Sequence, residues 1–268
     1  MMRMYKLIAT DMDGTLLNSV GEISPKNLDY VKKAIDHRVE FAIVTGRPYI
    51  SVKGFLKSSS LSCSVIGCNG AQVTGSDGKL VKAGYMNKDS LLKVMGLSGG
   101  EDVYYQIYDD YYIYTRSRLQ FIRMLKHYST KSIKRQITPG RIINGFRRLF
   151  FTEVKVIDDL RAFAAREDRN FYKIQISSDS QPRLNEIREK LKPIPDIDVT
   201  SSSYFNIEIG PKGVTKGTAL RDLAAFKKIP ASEVIAIGDN YNDIPMLLYA
   251  GCGVAMENAV QAAKDIAD

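Results

Sequence analysis

Short apolar segments that alternate with helical segments constrain this chain more than any other feature of its sequence. The apolar segments lack the strict apolar–polar alternation of half-exposed strands, and this indicates strands that are buried on both faces. Strands that alternate with helices favour a parallel sheet. The segments lie at residues 5–10, 40–45, 63–67, 234–238 and 253–256. The two ends of the chain therefore predict one α/β core.

The middle of the chain has a different pattern. Residues 103–115 hold six tyrosines and predict an antiparallel hairpin. Further strands and helices are predicted there in mixed order, with helices at 158–167 and 181–192 and strands at 171–176 and 206–209. We therefore predict an α/β fold with a Rossmann-like parallel-sheet core, formed by residues 1–84 and 204–268, and an inserted α+β domain at residues 85–203.

The composition describes a globular chain with a basic surplus. Of the 268 residues, 44% are hydrophobic and 25% are charged, which excludes a disordered chain, and the net charge is +8. Residues 116–148 hold ten lysines and arginines and no acid. Such a run suits nucleic acid or an anionic small molecule, and it is equally typical of a solvated basic face.

The sequence also predicts where the protein resides. No apolar run approaches the ~18 residues of a membrane span. Residues 1–5 lead into the first predicted strand without the apolar core of a signal peptide. The three cysteines, Cys63, Cys68 and Cys252, form no Cys-x-x-Cys pair. We therefore expect a cytoplasmic protein with reduced cysteines and no membrane partner.

Two carboxylates, Asp11 and Asp13, directly follow the first predicted strand. Ligands of open α/β sheets bind outside the carboxyl ends of the strands, so both side chains are expected at one site. Neighbouring carboxylates push their proton affinities apart, which suits one to act as a nucleophile and the other as an acid. Asp and Gly are also ordinary turn formers, and the same residues are compatible with a purely structural turn.

A second acidic group, Asp239 and Asp243, follows a later predicted strand together with Asn240 and Asn242. Several acids at one sheet edge repel each other unless a cation lies among them. Oxygen ligands favour Mg²⁺, which keeps water molecules and shares its coordination shell with phosphate. The chain has only two histidines, so a zinc site built on imidazoles is not expected.

Groups suited to a phosphoryl ligand lie at further element ends. Thr45 and Gly46 end the second predicted strand, and Lys216 opens a predicted helix after Thr215. A hydroxyl, a glycine that allows close approach of the backbone, and a lysine are suitable partners for phosphoryl oxygens. Each of these residues by itself is also compatible with an ordinary surface position.

Taken in chain order, these segments resemble the four motifs of the haloacid dehalogenase superfamily. Asp11-Met-Asp-Gly-Thr resembles the first motif and Thr45-Gly-Arg the second, while Lys216-Gly-x-Ala-Leu resembles the third and Gly238-Asp-x-x-Asn-Asp the fourth. The inserted domain and the segment Cys68-Asn-Gly-Ala resemble the Cof-like subfamily, in which the insert is called a cap.

The resemblance implies a Mg²⁺-dependent phosphatase that hydrolyses small phosphorylated metabolites, such as sugar phosphates, nucleotides or phosphorylated cofactors. Asp11 would attack phosphorus and form an aspartyl-phosphate, and Asp13 would act as acid and then as base. The cap would set substrate specificity. The expected Mg²⁺ ligands are Asp11, the Asp13 backbone carbonyl and Asp239, with Asp243 nearby. The expected phosphate-binding residues are Met12, Thr45, Gly46, Lys216 and Asn242, and Arg47 and Asn69 are candidate substrate contacts.

Two other functions compete with this one. A nucleic-acid-binding protein would use the basic residues 116–148 on an inactive core, but the acids at 11, 13, 239 and 243 are intact. A sugar-phosphate mutase of this superfamily would carry a helical cap before the second motif. The chain between Thr15 and Thr45 is already filled by one predicted helix and one strand. A small phosphate ester is therefore the expected partner, and nucleic acid is not.

Overall fold

The fold is described from a computed structural model that covers residues 4–18, 21–100, 102–117, 119, 153–202 and 204–268. The chain divides into two compact units, Met1–Gly84 with Val214–Asp268 and Tyr85–Gly213. The predicted α/β class with a second, inserted sheet is confirmed. Most of the basic stretch at 116–148 lies outside the described residues, so its binding of nucleic acid or of an anionic small molecule stays a prediction.

The described residues form thirteen strands and eight α-helices. The strands are β1 (Leu7–Thr10), β2 (Glu40–Val44), β3 (Ser64–Gly67), β4 (Gln72–Thr74), β5 (Leu80–Ala83), β6 (Tyr104–Tyr108), β7 (Ile113–Thr115), β8 (Val154–Val156), β9 (Lys173–Ser177), β10 (Ile197–Thr200), β11 (Asn206–Pro211), β12 (Val234–Gly238) and β13 (Cys252–Ala255). The helices are α1 (Pro25–Asp36), α2 (Tyr49–Ser59), α3 (Lys88–Leu97), α4 (Leu160–Ala164), α5 (Gln181–Leu191), α6 (Lys216–Phe226), α7 (Ile244–Tyr249) and α8 (Gln261–Lys264). None of these helices is both long enough and apolar enough to cross a membrane.

The first unit is built on a sheet with the strand order β13-β12-β1-β2-β3-β4-β5. The five strands from β13 to β3 are parallel, and β4 and β5 continue the sheet as an antiparallel edge. The central strands are buried on both faces, as their unbroken apolar sequences predict. Parallel strands end at the same edge of a sheet, so the loops that follow β1, β2 and β12 converge there.

The helices of this unit begin where the sequence signals place them. The Ser24 hydroxyl caps α1 by accepting a hydrogen bond from Asn27 N, and Pro25 occupies the first turn. Gly217 lets α6 and α7 approach closely, because a Cβ atom at this position would overlap the Pro245 carbonyl group. This close approach holds the start of α6 beside the loop that follows β12.

The second unit is built on a sheet with the order β10-β11-β9-β6-β7-β8. Its hairpin of β6 and β7 is the one that the tyrosine-rich segment predicts. The predicted start of the C-terminal core part, at residue 204, is wrong. Strand β11 pairs with β9 and β10 in the second sheet, so the boundary follows Gly213. A lone strand of four predicted residues carries no local signal that says which sheet it will join.

The two faces of the second sheet differ in polarity. Ile174 and Ile176 lie on the face that packs into the apolar core of the unit. The alternate residues on the other face are polar and yet buried, with Lys173 and Glu208 each 3% exposed. Lys173 Nζ lies 2.9 Å from Glu208 Oε2 and 4.7 Å from the centroid of the Tyr108 ring. Direct contact between the two charges offsets the free energy that is lost when both are removed from water.

Asp109 holds three tyrosines of the hairpin in place. Asp109 caps the turn by accepting hydrogen bonds from the backbone of Tyr111 and Tyr112, both at 2.8 Å. The Tyr114 hydroxyl donates to the same carboxylate at 2.8 Å. These contacts within the second unit explain the cluster of tyrosines as hairpin architecture.

Candidate active site

The candidate site lies at the carboxyl edge of the parallel sheet in the first unit. Asp11 directly follows β1, and its backbone N–H donates to Ile237 O of β12 at 2.8 Å. Strand β2 pairs with β1 on the other side, so that Thr45 follows at the same edge. The loops after three adjacent strands therefore bring together side chains that lie far apart in the sequence.

A buried lysine links two of the acids. Lys216 Nζ lies 2.7 Å from Asp11 Oδ1 and 2.5 Å from Asp243 Oδ1, and the lysine is 1% exposed. Lys216 is the first residue of α6, and the Thr215 hydroxyl caps that helix by accepting a hydrogen bond from Thr218 N. The capped helix start fixes the lysine backbone, and the two carboxylates fix its ammonium group.

Burial and charge act on these groups together. Burial raises the pKa of the Asp11 carboxyl to about 7, and the like charges of Asp243 and Asp13 act in the same direction while Lys216 opposes them. Burial by itself would lower the pKa of Lys216, but Asp11 and Asp243 raise it above its usual value. The lysine is therefore a stable cation between two acids.

Asp239 and Asp243 are held by hydrogen bonds from different parts of the first unit. Asp239 Oδ1 accepts from the Thr15 hydroxyl at 3.1 Å, and Asp239 Oδ2 lies 3.3 Å from Asn258 Nδ2. Asp243 Oδ2 accepts from the backbone N–H groups of Asp239 and Asn240, both at 2.9 Å. With its other oxygen on Lys216, Asp243 organises the turn that carries Asp239.

The acidic groups fit a divalent cation. Asp11, Asp239 and Asp243 are buried, and each can offer an oxygen atom within 4.8 Å of those of the other two. Lys216 supplies a positive charge to two of these carboxylates, Asp11 and Asp243. Oxygen ligands in this number suit Mg²⁺. The Asp13 carboxylate is not part of this group, because it contacts Arg47 instead. Its backbone carbonyl remains the predicted ligand.

Asp13 pairs with Arg47. Arg47 Nε lies 2.6 Å from Asp13 Oδ2 and Nη2 lies 2.5 Å from Oδ1, so that the two side chains meet through two parallel hydrogen bonds. The guanidinium also packs on the Phe55 ring at 5.4 Å from its centroid. Arg47 was predicted as a substrate contact, whereas the structure places it against the predicted acid and base.

A turn with left-handed backbone conformation contacts two of the predicted phosphate-binding residues, Thr45 and Asn242. Cys68, Asn69 and Gly70 all have positive φ values, of 51°, 59° and 109°. Asn69 N donates to Thr45 O at 3.1 Å, and Asn69 Oδ1 accepts from Asn242 Nδ2 at 3.1 Å. Asn69, predicted as a substrate contact, therefore holds Thr45 and Asn242 in place through its backbone and side chain. Positive φ at non-glycine residues marks a backbone that its surroundings impose.

The remaining predicted residues act through the backbone or pack in the core. The Met12 side chain is fully buried in an apolar cluster, so only its backbone amide can serve the predicted phosphate contact. Gly46 follows Thr45 at the same edge. Thr15 and Asn258, which hold Asp239, are not among the predicted site residues. Asn258 follows the parallel strand β13, just as Asp11, Thr45 and Asp239 follow theirs, and this position in the sequence could have identified it.

Gly14 is required by both its conformation and its surroundings. Its φ is +95°, and a Cβ atom there would overlap the Asp239 carboxylate. We predict that Gly14→Ala lowers kcat/KM for a phosphate monoester by about tenfold or more, because it displaces the carboxylate of Asp239, a predicted metal ligand, and loss of a hydrogen-bond partner of such a ligand already has effects of that size.

Gly21→Ala is the matched control for this prediction. Gly21 has a φ of +83°, and a Cβ atom there would meet nothing within 4 Å. Both variants strain the backbone by roughly 1–2 kcal/mol, but only Gly14→Ala displaces Asp239. Equal kcat/KM values for the two purified variants would show that contact with Asp239 is not the cause.

The sequence matches that of known hydrolases along nearly its whole length. Residues 8–268 match the family of haloacid dehalogenase-like hydrolases. Phosphatase YwpJ of Bacillus subtilis (strain 168) is 30% identical over 271 residues, which cover 98% of this chain and 93% of YwpJ. YwtE of the same organism, a 5-amino-6-(5-phospho-D-ribitylamino)uracil phosphatase, is 29% identical over 266 residues, which cover 97% of this chain and 90% of YwtE.

The fold is similar to that of a solved structure, which also matches nearly the whole chain. A haloacid dehalogenase-like hydrolase from B. subtilis superposes with a TM-score of 0.89 and 28% sequence identity, covering 98% of this chain and 93% of the other. The match includes both units, since it spans almost the whole chain.

Proposed function

Because this chain belongs to the haloacid dehalogenase-like hydrolases and is a phosphoric monoester hydrolase of the Cof-like type, we propose that it is a Mg²⁺-dependent phosphatase that works through an aspartyl-phosphate formed on Asp11. One observation carries this proposal. The buried chain of Asp11, Lys216 and Asp243 lies beside Asp239 at the carboxyl edge of the sheet. It combines a nucleophile, a fixed cation and a group of metal ligands in one place.

In the first step, an oxygen of Asp11 attacks phosphorus and the bond from phosphorus to the ester oxygen breaks. Lys216 lies 2.7 Å from Asp11 Oδ1, so its ammonium group orients the nucleophile and attracts the phosphoryl oxygens. The Met12 and Gly46 amides, the Thr45 hydroxyl and the Asn242 amide are proposed to bind those oxygens. Asn69 contacts both Thr45 and Asn242, and this shared contact supports a common role for the two residues.

Asp13 is proposed to move the protons. It gives a proton to the leaving oxygen in the first step, and in the second it takes one from a water molecule that attacks phosphorus, releasing inorganic phosphate and free Asp11. Arg47 orients the Asp13 carboxylate through two hydrogen bonds. The acid step requires Asp13 to separate from Arg47, and the base step suits the paired carboxylate.

Asp11, Asp239 and the Asp13 backbone carbonyl are proposed to hold Mg²⁺, with Asp243 behind them. Bound Mg²⁺ would offset the negative charge of the phosphate and polarise its oxygens. Without a cation, the carboxylates would repel a phosphate dianion.

Removal of the metal tests this proposal. We predict that EDTA abolishes hydrolysis of an aryl phosphate and that added Mg²⁺ restores it. Asp239→Ala should raise the Mg²⁺ concentration for half-maximal activity by about tenfold or more, and Asp13→Ala much less, because Asp13 is expected to bind through its backbone. Full activity of protein shown to be metal-free by elemental analysis would refute the metal-dependent mechanism.

The proposed substrates are small phosphorylated metabolites, and the second unit is proposed to select among them. The catalytic groups named above lie in the first unit and act on the phosphoryl group, which every substrate shares. A screen by kcat/KM should include sugar phosphates, nucleotides and phosphorylated cofactors. It should also include 5-amino-6-(5-phospho-D-ribitylamino)uracil, which YwtE is named for.

A further inference from the structure

Asn258 bridges two loops of the first unit at the acidic site. It follows β13 at the edge of the sheet and lies outside the four motif segments. Its Nδ2 atom donates to Gly14 O at 3.1 Å and lies 3.3 Å from Asp239 Oδ2. One amide group therefore connects the loop after β1 with the carboxylate that follows β12.

The two oxygens of Asp239 are held from opposite sides. Thr15 donates to Oδ1 from the loop after β1, and Asn258 donates to Oδ2 from the loop after β13. The backbone is also tied to the second of these loops, because Val260 N donates to Asp239 O at 2.9 Å. An aspartate whose two carboxylate oxygens and backbone carbonyl all accept hydrogen bonds has little freedom to rotate.

The chemistry of the bridge requires an amide. Both groups that face Asn258 Nδ2 are oxygens, one a backbone carbonyl and one a carboxylate. A side chain with two N–H donors satisfies both, whereas an acid of the same shape would place a third oxygen against them. Gly14 makes room for this arrangement, because a Cβ atom at residue 14 would overlap the Asp239 carboxylate.

We infer that Asn258 is a positioning residue that orients the Asp239 carboxylate for Mg²⁺ and joins it to the loop that carries the nucleophile. This inference rests on the proposed Mg²⁺ site. Hydrogen-bond partners of metal ligands commonly contribute 10- to 100-fold to metal affinity. Asn258 is exposed and one of its two contacts is long, so we expect an effect at the lower end, about tenfold.

The experiment measures Mg²⁺ binding to the metal-free enzyme by calorimetry, together with kcat at saturating Mg²⁺. Asn258→Ala should weaken Mg²⁺ binding by about tenfold and leave kcat within about twofold once Mg²⁺ saturates the site.

Glu257→Gln is the matched control, since Glu257 is the exposed neighbour. It should bind Mg²⁺ as the unaltered protein does. Unfolding temperatures measured without metal should agree among the three proteins, because a purely structural role would lower this temperature in Asn258→Ala.

The outcomes separate this inference from the proposed function. Asp239→Asn serves as the reference that should lose Mg²⁺ binding. If it does and Asn258→Ala binds Mg²⁺ as tightly as the unaltered protein, the role of Asn258 is refuted and the proposed function stands. If the unaltered protein does not bind Mg²⁺, both are refuted. Tighter Mg²⁺ binding by Asn258→Asp would also overturn the inference, since residue 258 would then be a ligand position rather than a positioning one.

Discussion

Replacing Asp11 by asparagine should lower kcat for a phosphate monoester by about four orders of magnitude or more, in the range found when nucleophiles of covalent catalysis are removed. The amide keeps the shape of the carboxylate and cannot form the aspartyl-phosphate. The variant should fold, because Lys216 keeps its contact with Asp243 and the asparagine oxygen can still accept a hydrogen bond from Lys216 Nζ. The measurement is kcat with saturating Mg²⁺, with unfolding temperature as a check on folding.

A surface aspartate supplies the control for this result. Asp36 ends α1 and is exposed, so that Asp36→Asn removes the same charge far from the site. It should retain kcat within about twofold, as surface substitutions generally do. An Asp11→Asn protein that kept a tenth of the original kcat would show that Asp11 is not the nucleophile.

Replacing Lys216 by methionine should both destabilise the protein and stop catalysis. The methionine side chain fills a similar volume, but Asp11 and Asp243 then face each other in a buried site without the ammonium group between them. Removing one member of a buried charge network typically costs about 3–5 kcal/mol of unfolding free energy. We expect a loss of that size in metal-free protein by urea denaturation, and kcat lower by about 10²-fold or more.

Two further variants test the electrostatic cause of this loss. Lys264→Met replaces an exposed lysine in α8 and should leave the unfolding free energy within about 0.5 kcal/mol. In the double variant Lys216→Met, Asp243→Asn, one of the two repelling charges is gone while an acceptor for the backbone N–H groups remains. This variant should be more stable than Lys216→Met. Equal stability would assign the loss to packing rather than to charge.

Much of the fold was predictable from local sequence patterns. Unbroken apolar segments predicted the central strands β1, β2, β3 and β12. The first three are buried on both faces, whereas β12 alternates between buried and half-buried residues. Ser24 and Pro25 predicted the start of α1. These predictions succeed because burial of a strand and capping of a helix depend on a few consecutive residues. The predicted boundary at residue 204 lies on the wrong side of β11, because the strands that pair with β11 cannot be identified from its local sequence.

The candidate site was predictable as a set of residues but not as a set of contacts. The rule that polar residues follow the carboxyl ends of parallel strands selected Asp11, Thr45 and Asp239. It also covers Asn258, which follows the edge strand β13 and was not selected. The same rule cannot say that Asp13 pairs with Arg47, since a hydrogen bond depends on rotamers set by the packing of both loops.

Local sequence patterns are enough to place the acids, the lysine and the hydroxyl of the site at one edge of a parallel sheet. This follows from the order of strands and helices, which each segment encodes locally. Which atoms meet depends on the tertiary structure. Lys216 lies 205 positions from Asp11 and Asn258 lies 244 positions from Gly14. Contacts at such separations depend on strand register and on the space left between side chains. Both arise only when the whole unit packs, because packing at high density leaves each buried side chain few positions to occupy.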